Sequence, residues 1–358
     1  PVIDFSGKKI QIIGTMSNTI LKQSGEYPVV VAISGESAGV LLDGFTITGG
    51  QDSGVQLVSS IRIQNCIIEG NYGTEAGGVY AYGFGAPELE DCIIQFNSKI
   101  GSGSGAGGVS IKGCNPKISN CLISNNIGSK DAGGVYIDDQ CHPELVSCTV
   151  KDNDGHGIMV RSSCIDVNNC NVTQNDGHGI YLEELESSSG SSSQIASSRI
   201  TLNDERGVFI ISSDVETIIT QSVIQLNEEG GVFFNKSNAS LLDSYISDNS
   251  GLLAGGGIFA WSDNPSHEVT VSGCDIISNY CLGDSSGDES VGGGVFCNSV
   301  LPGLVDCIVS GNQSDVAGGI MCDEFADFSL VNCLLAANVN ESSSRHVSIL
   351  CHGSLSLE

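Results

Sequence analysis

The chain has 358 residues, 42 acidic against 14 basic side chains, a formal charge of −28, 47 glycines and 15 cysteines. That charge excludes nucleic acid and anionic membrane surfaces as partners, because both select basic faces. The longest apolar run, VVVAI at 29–33, is far short of the roughly 18 residues of a membrane span.

Taken in chain order, one phrase keeps returning. LDGFTITGG stands at 42–50, GGVYAYGFGAPELEDCIIQFN at 77–97, GGVSIKGCNPKISNCLISNN at 107–126 and GGVYIDDQCHPELVSCTVKDN at 133–153. NDGHGI then occurs twice, starting at Asn153 and at Asn175, 22 residues apart. GGVFFNKSNASLLDSYISDN (230–249), GGGVFCNSVLPGLVDCIVSGN (292–312) and GGIMCDEFADFSLVNCLLAAN (318–338) complete the series. The shared template is G-G-(V/I)-x-φ, a turn, then φ-x-x-C-x-φ-x-x-N, where φ is apolar. Both halves alternate with period 2, Gly and Asn punctuate them, and no helical period persists.

Short strands recurring at about 22–37 residues, with no helix for a crossover, predict one coil of a single-stranded parallel β-helix per repeat. About 12–13 coils at 4.8 Å give a rod of roughly 60 Å, and the right hand is expected for parallel crossovers. The Ser-rich insertion at 186–194 reads as a loop within a coil, since the pattern resumes in phase at Ile195, Ser198 and Asn203. One domain, 1–358, is therefore expected. The chain starts at Pro1 without an initiator Met or leader, and both ends lie in mid-pattern, so it is expected to be a segment of a longer chain or to stack head to tail.

Three columns define the expected interior. One runs Leu42, Ile63, Leu89, Ile118, Leu145, Val167, Ile195, Ile219, Leu241, Val271, Leu304, Leu330. Three residues on come Cys66, Cys92, Cys121, Cys148 and Cys170, then Ser198, Ser222 and Ser244, then Cys274, Cys307 and Cys333. Five further on, Asn71, Asn97, Asn126, Asn153, Asn175, Asn203, Asn227, Asn249, Asn279, Asn312 and Asn338 close the coils. The Asn column is expected to hydrogen-bond along the stack and to supply the left-handed backbone of a sharp turn. The inward Cys column is expected to stay reduced, because its side chains point in parallel. Cys297, Cys322 and Cys351 form a second inward column, and Cys281 falls in a loop. The odd cysteine count and the spacing match no zinc module. Cys114, Cys141 and Cys164 fall at a turn in consecutive coils and are the better disulfide candidates.

The GG(V/I) element paired with the apolar-x-x-N box resembles the repeats of polymorphic outer-membrane autotransporter proteins. LDGFTITGG and NDGHGIYL resemble phrases of the pectate-lyase-like β-helix superfamily. The resemblance spans nearly the whole chain and implies a right-handed β-helix, a scaffold that carries adhesins, lyases, hydrolases and epimerases. Ile or Val usually replaces the Phe of the autotransporter box, so that family's membrane anchoring is not carried over.

Chemistry-bearing residues are sparse. His156 and His178, beside Asp154 and Asp176, read as turn residues of a repeated phrase, with a His–carboxylate metal site as the alternative. No cofactor is expected. Calcium beside Asp154, Asp176, Asp204 and Glu228 is the alternative there, since it would relieve stacked like charge. Lys112, Asp138, Arg161 and Glu183 alternate in sign on one outward face, the pattern of a charge ladder. They are also the base and carboxylates that a polysaccharide lyase or hydrolase needs. Sequons stand at Asn171, Asn235, Asn238, Asn312 and Asn340, and all but Asn312, which belongs to the stacked column, are candidate glycosylation sites.

The x of G-G-V-x-φ must point outward, and it reads Tyr80, Ser110, Tyr136, Met159, Tyr181, Phe209, Phe233, Phe259, Phe296, Met321, with Trp261 alongside. Loops 98–106 and 280–291 are placed to fold over this line. Tyr136, Tyr181, Phe209, Phe233, Phe259, Trp261 and Phe296 are the expected binding residues for a glycan or another protein chain. The reading at this point is a non-catalytic extracellular or cell-surface β-helix: an adhesin, a glycan-binding module or a filament-forming one. The alternative is a polysaccharide-active enzyme on the Lys112–Glu183 face.

Overall fold

A computed structural model describes residues 1–357 apart from 16–18, 184–191, 265, 282, 284–288, 299, 324–326 and 341–347, and apart from the side chains of 129, 130 and 327. The first part of the Ser-rich insertion, 186–191, and parts of the 280–291 loop therefore lie outside the described residues. The chain forms two compact units, unit 1 within residues 1–177 and unit 2 from His178 onward. Among the described residues each is built from parallel strands. Among the described residues no helix is long and apolar enough to cross a membrane.

Among the described residues the coils have three faces, save the last, which shows two strands. In unit 1 the GGV strands make face one, for example Val55–Leu57, Val79–Tyr82 and Val109–Lys112. Face two carries Arg62–Gln64, Glu88–Glu90 and Lys117–Ser119, and face three Ile67–Glu69, Ile93–Gln95 and Leu122–Ser124. Register keeps like over like: Leu42, Ile63, Leu89, Ile118, Leu145 and Val167 stack in turn on face two. In unit 2 Ile195, Ile219, Leu241, Val271, Leu304 and Leu330 do the same. These side chains are 0–4% exposed. Alternation drives the arrangement, since a one-residue slip would turn every one of them to solvent.

The corners explain the template. A left-handed residue stands just before each Cys or Ser of the second column: Asn65, Asp91, Asn120, Ser147 and Asn169 in unit 1, and Ser197, Gln221, Asp243, Gly273, Asp306 and Asn332 in unit 2. A second one precedes each Asn of the third column, such as Phe96, Asn125, Asp152, Leu226 and Ser278. The half-template φ-x-x-C-x-φ-x-x-N is thus two faces, bent at the residue before Cys. This corrects the expected role of the Asn column. Its members are buried, and the left-handed turn is taken by the residue before them, while the Asn side chains serve as the ladder.

That ladder is continuous within each unit. Asn227 Nδ2 donates to Asn249 Oδ1 (2.9 Å), Ile200 O (3.1 Å) and Gln225 O (3.2 Å). Its own Oδ1 accepts from the Asn203 backbone N–H (3.1 Å) and from Asn203 Nδ2 (2.9 Å). The same pattern joins Asn71, Asn97, Asn126, Asn153 and Asn175 in unit 1. The amides of these ladder residues are thereby satisfied by their neighbours in the stack.

The Cys/Ser column has a hydrogen-bonding rationale as well. The Cys92 backbone N–H donates to Cys121 Sγ (3.4 Å), and Cys121 Sγ–H faces the Ser119 carbonyl (3.2 Å). Ser222 takes the same slot in unit 2, with Ser198 N–H donating to its Oγ (3.2 Å) and the hydroxyl donating to Thr220 O (2.9 Å). A small side chain that both accepts and donates is what the corner needs. Cys121→Ser is therefore expected to cost under about 1 kcal/mol. Cys121→Val, which leaves the Cys92 N–H without an acceptor, is expected to cost about 2–3 kcal/mol. Urea unfolding of the two variants checks this.

None of the fifteen cysteines is bonded to another in this structure. Burial pushes the Cys66 thiol up to about 12, which keeps it protonated. Cys114, Cys141 and Cys164 stack at a corner of unit 1, 2–4% exposed. There the Cys114 N–H donates to Cys141 Sγ (3.3 Å) and the Cys164 N–H to Cys141 O (2.8 Å). A disulfide among these three remains our proposal for any bridge in the chain, and differential alkylation before and after reduction tests it.

Candidate functional site

The outward line of face one differs between the units. In unit 1 it is closed from Ser110 to Met159, while Tyr80 is part-exposed. Ser110 and Tyr136 are 0% exposed and Met159 6%. The 98–106 loop lies over it: the Ser104 hydroxyl bonds the Tyr136 side chain, whose OH donates to Asp138 Oδ2 (2.8 Å), and Lys112 Nζ sits 5.8 Å from the Tyr136 ring centre. Alternation does aim Tyr136 away from the core, as expected, but the loop then buries it, so Tyr136 does not belong to an accessible binding line. Lys112 turns to Glu75, and Asp138 is held by Tyr136 and by the Asp139 N–H (2.8 Å). Lys112 and Asp138 thus both lie against the Tyr136 side chain. Glu183 lies in unit 2.

In unit 2 the line is partly open. Tyr181, Phe209, Phe233, Phe259 and Phe296 are all part-exposed and follow one another at 5.1, 4.8, 4.2 and 5.1 Å between ring centres. Register places them, with Tyr181 opposite Phe209, Phe209 opposite Phe233, Phe233 opposite Phe259 and Phe259 opposite Phe296. The first two contacts are edge-on (63° and 85°), and the last two are stacked (10° and 22°). Trp261 flanks the line, with Lys236 Nζ 5.4 Å from its ring centre and paired to Asp263 at 2.9 Å.

A polar row supports the rings from the corner before face one. His178 and Arg206 occupy equivalent slots in neighbouring coils, and each reaches into the coil that follows. His178 Nδ1 lies 3.0 Å from Glu205 Oε2 and accepts the Arg206 backbone N–H (3.1 Å), while its ring packs edge-on to Phe209 (4.8 Å). The Arg206 guanidinium pairs with Glu229 (3.4 Å) and lies over Phe233 (4.3 Å) and Phe209 (5.1 Å). Burial pushes the Glu205 carboxyl above its ordinary range, helped by the negative charge of Glu229. Burial likewise lowers Arg206. His178 is only 5% exposed, so the turn residue expected from the sequence is instead part of the ladder's foundation. His156 belongs to unit 1, where burial pushes its imidazole down to about 4. Asp154 and Asp176 in unit 1, and Asp204 and Glu228 in unit 2, are exposed.

The sequence contained the aromatic line but not its foundation. His178, Glu205, Arg206 and Glu229 come from non-identical versions of one turn, so no shared motif marks them. Of the sequons, Asn171 and Asn235 point outward and are part-exposed. Asn238 Nδ2 donates to Asp214 O (3.0 Å), Asn340 Nδ2 to Val316 O (3.3 Å), and Asn312 is sealed in the ladder. A groove of about 320 Å³ on face two of unit 2 is lined by Asp214, Glu216, Asn238, Ser240, Glu268 and Thr270.

Stacked three-faced parallel coils with an internal Asn ladder define a class. The chain is a single-stranded right-handed parallel β-helix of about 12 turns. Residues 59–214 match the family described as right handed beta helix region. Among solved structures, the A-module of mannuronan C-5 epimerase AlgE6 from Azotobacter vinelandii aligns with a TM-score of 0.59 at 12% identity, over 97% of this chain and 91% of that one. The Vag8–C1 inhibitor complex aligns at 0.55 and 13% identity, over 99% and 97%. Such identities establish a common fold. No curated protein matches the sequence.

Proposed function

We propose that the chain is a non-catalytic binding β-helix acting outside the cell or at its surface, and that the aromatic line of unit 2 is where it docks a glycan or a protein partner. The observation that carries this is the run of five part-exposed rings crossing five coils in register. Cross-strand ring pairs stabilise a sheet by only about 0.2–1 kcal/mol each, which Val or Thr would match. A continuous exposed apolar line is what monomeric surfaces usually avoid and interfaces use. The two solved relatives, an epimerase module and a protein bound to an inhibitor, are compatible with ligand contact along such coils. N-glycosylation of Asn171, Asn235, Asn238 and Asn340 is part of the same proposal.

The second reading, a polysaccharide lyase or hydrolase, draws on the acidic groove of face two, where Glu216 Oε1 accepts the Ser240 hydroxyl (2.7 Å). Tyr181→Ser combined with Phe209→Ser and Phe233→Ser, in protein with an unchanged β spectrum, is expected to abolish binding on a glycan array and capture of protein partners. Unchanged binding would reduce the rings to a structural ladder. Turnover of uronate polymers, read as new ultraviolet absorbance and lost in Glu216→Gln, would establish the enzyme instead.

A further inference from the structure

We infer that the occupant of the unit 2 line is a basic peptide segment of a partner protein, laid along the rings with its Arg or Lys side chains against the carboxylates beside them. The inference rests on the docking reading and adds the chemistry of the ligand.

Ring orientation comes first. Phe233, Phe259 and Phe296 stack on one another at 10° and 22°, so their faces are spent within the ladder and ring edges remain for a ligand. A sugar ring binds an aromatic by lying on its face. A ridge of edges instead suits the sides of aliphatic stems, such as those of Leu, Arg and Lys.

Charge then selects among peptides. From His178 onward the sequence has four basic against 24 acidic residues. Two of the four cations, Arg206 and Lys236, already rest over rings and are each committed to a carboxylate, Glu229 and Asp263. Asp204 and Glu228, five residues before Phe209 and Phe233, are exposed and in no ion pair among the described residues. An apolar ridge bordered by unsatisfied carboxylates repels a uronate polymer and a second copy of a chain charged −28. It complements a segment that alternates apolar and basic residues.

Trp261 is the chain's single tryptophan and flanks the line, so its fluorescence reports on occupancy. The experiment titrates the folded chain with a peptide alternating Arg and Leu, with its Glu-for-Arg counterpart, and with neutral and uronic oligosaccharides. The Arg peptide is expected to shift Trp261 emission, and its affinity to fall at least about tenfold from low to 0.3 M salt. Asp204→Asn with Glu228→Gln, both exposed and compatible with folding, is expected to weaken it about tenfold. Phe233→Ser with Phe259→Ser is expected to abolish it.

Oligosaccharide binding lost in the Phe variant, without peptide binding, would overturn the basic-peptide inference and leave the docking reading standing. Peptide binding that ignores the Phe variant would be diffuse attraction to an acidic surface, and would overturn the inference. No ligand sensitive to the Phe variant would overturn both.

Discussion

Asn227→Asp is expected to lower the unfolding free energy by roughly 5 kcal/mol, enough to open the middle of unit 2. The wild-type amide donates to three acceptors, Asn249 Oδ1, Ile200 O and Gln225 O. A carboxylate oxygen in that position faces the same three acceptors with no proton to share, in a slot only 1% exposed. The buried carboxyl's pKa must lie above that in the unfolded chain, about 3.9, so the penalty is smallest below pH 4 and grows as pH rises through the folded value. Asn227→Ala removes the donors without adding charge and is expected to cost about 3–4 kcal/mol with little pH dependence. Asn332→Gly, which keeps the left-handed backbone of that corner, is the control. Its side chain donates to Asp306 (2.6 Å) at an exposed corner, and under about 1 kcal/mol is expected. Urea unfolding at pH 7 and pH 3.5, with hydrogen exchange of the unit 2 strands, reads all three.

Gly231→Ala is expected to cost about 3 kcal/mol, although a helix or open loop would welcome the change. A Cβ there would lie 2.5 Å from Gly257 O, 2.8 Å from Ile246 Cγ2 and 2.9 Å from Asn249 Nδ2. The same close approach recurs at Gly78, Gly108, Gly257 and Gly294, each against the carbonyl of the coil that follows. The second Gly of the GG pair is thus there for contact distance between coils; Gly231 has no left-handed backbone. Gly103→Ala, with nothing within 4 Å of the added carbon, is expected to be neutral within about 0.5 kcal/mol. Thermal melts of the two variants make the comparison.

The inward columns were legible because repetition multiplies a weak signal. A single apolar-x-x-Cys says little, but eleven aligned copies, eight with Cys and three with Ser, identify a buried slot. The third face was not legible. Its strands are three residues long, too short to show a period, and the corner before Cys is filled by Asn, Asp, Ser, Gln or Gly, so no one letter marks it. Direction along a strand was legible from alternation, and Phe209 through Phe296 point outward as expected. Exposure was not. Tyr136 shares that direction, yet the 98–106 loop buries it, and such loops are the part of each coil that does not repeat. Lys112 likewise leaves its expected column for Glu75, a residue set by loop geometry.

The Asn ladder also has a direction in time. Within each unit an Asn donates forward wherever a further Asn follows in the ladder, and the acceptor for its side chain and its N–H is the amide of the coil translated next, 24 residues later for Asn203 and 30 for Asn249. A coil that has just been made therefore holds a buried amide whose forward partner has not yet been made. Synthesis at roughly 5–20 residues per second leaves that donor waiting for seconds. The newest coil is always the incompletely bonded one, and each arrival locks its predecessor, so the stack is expected to set from the N-terminal side of each unit like courses of masonry.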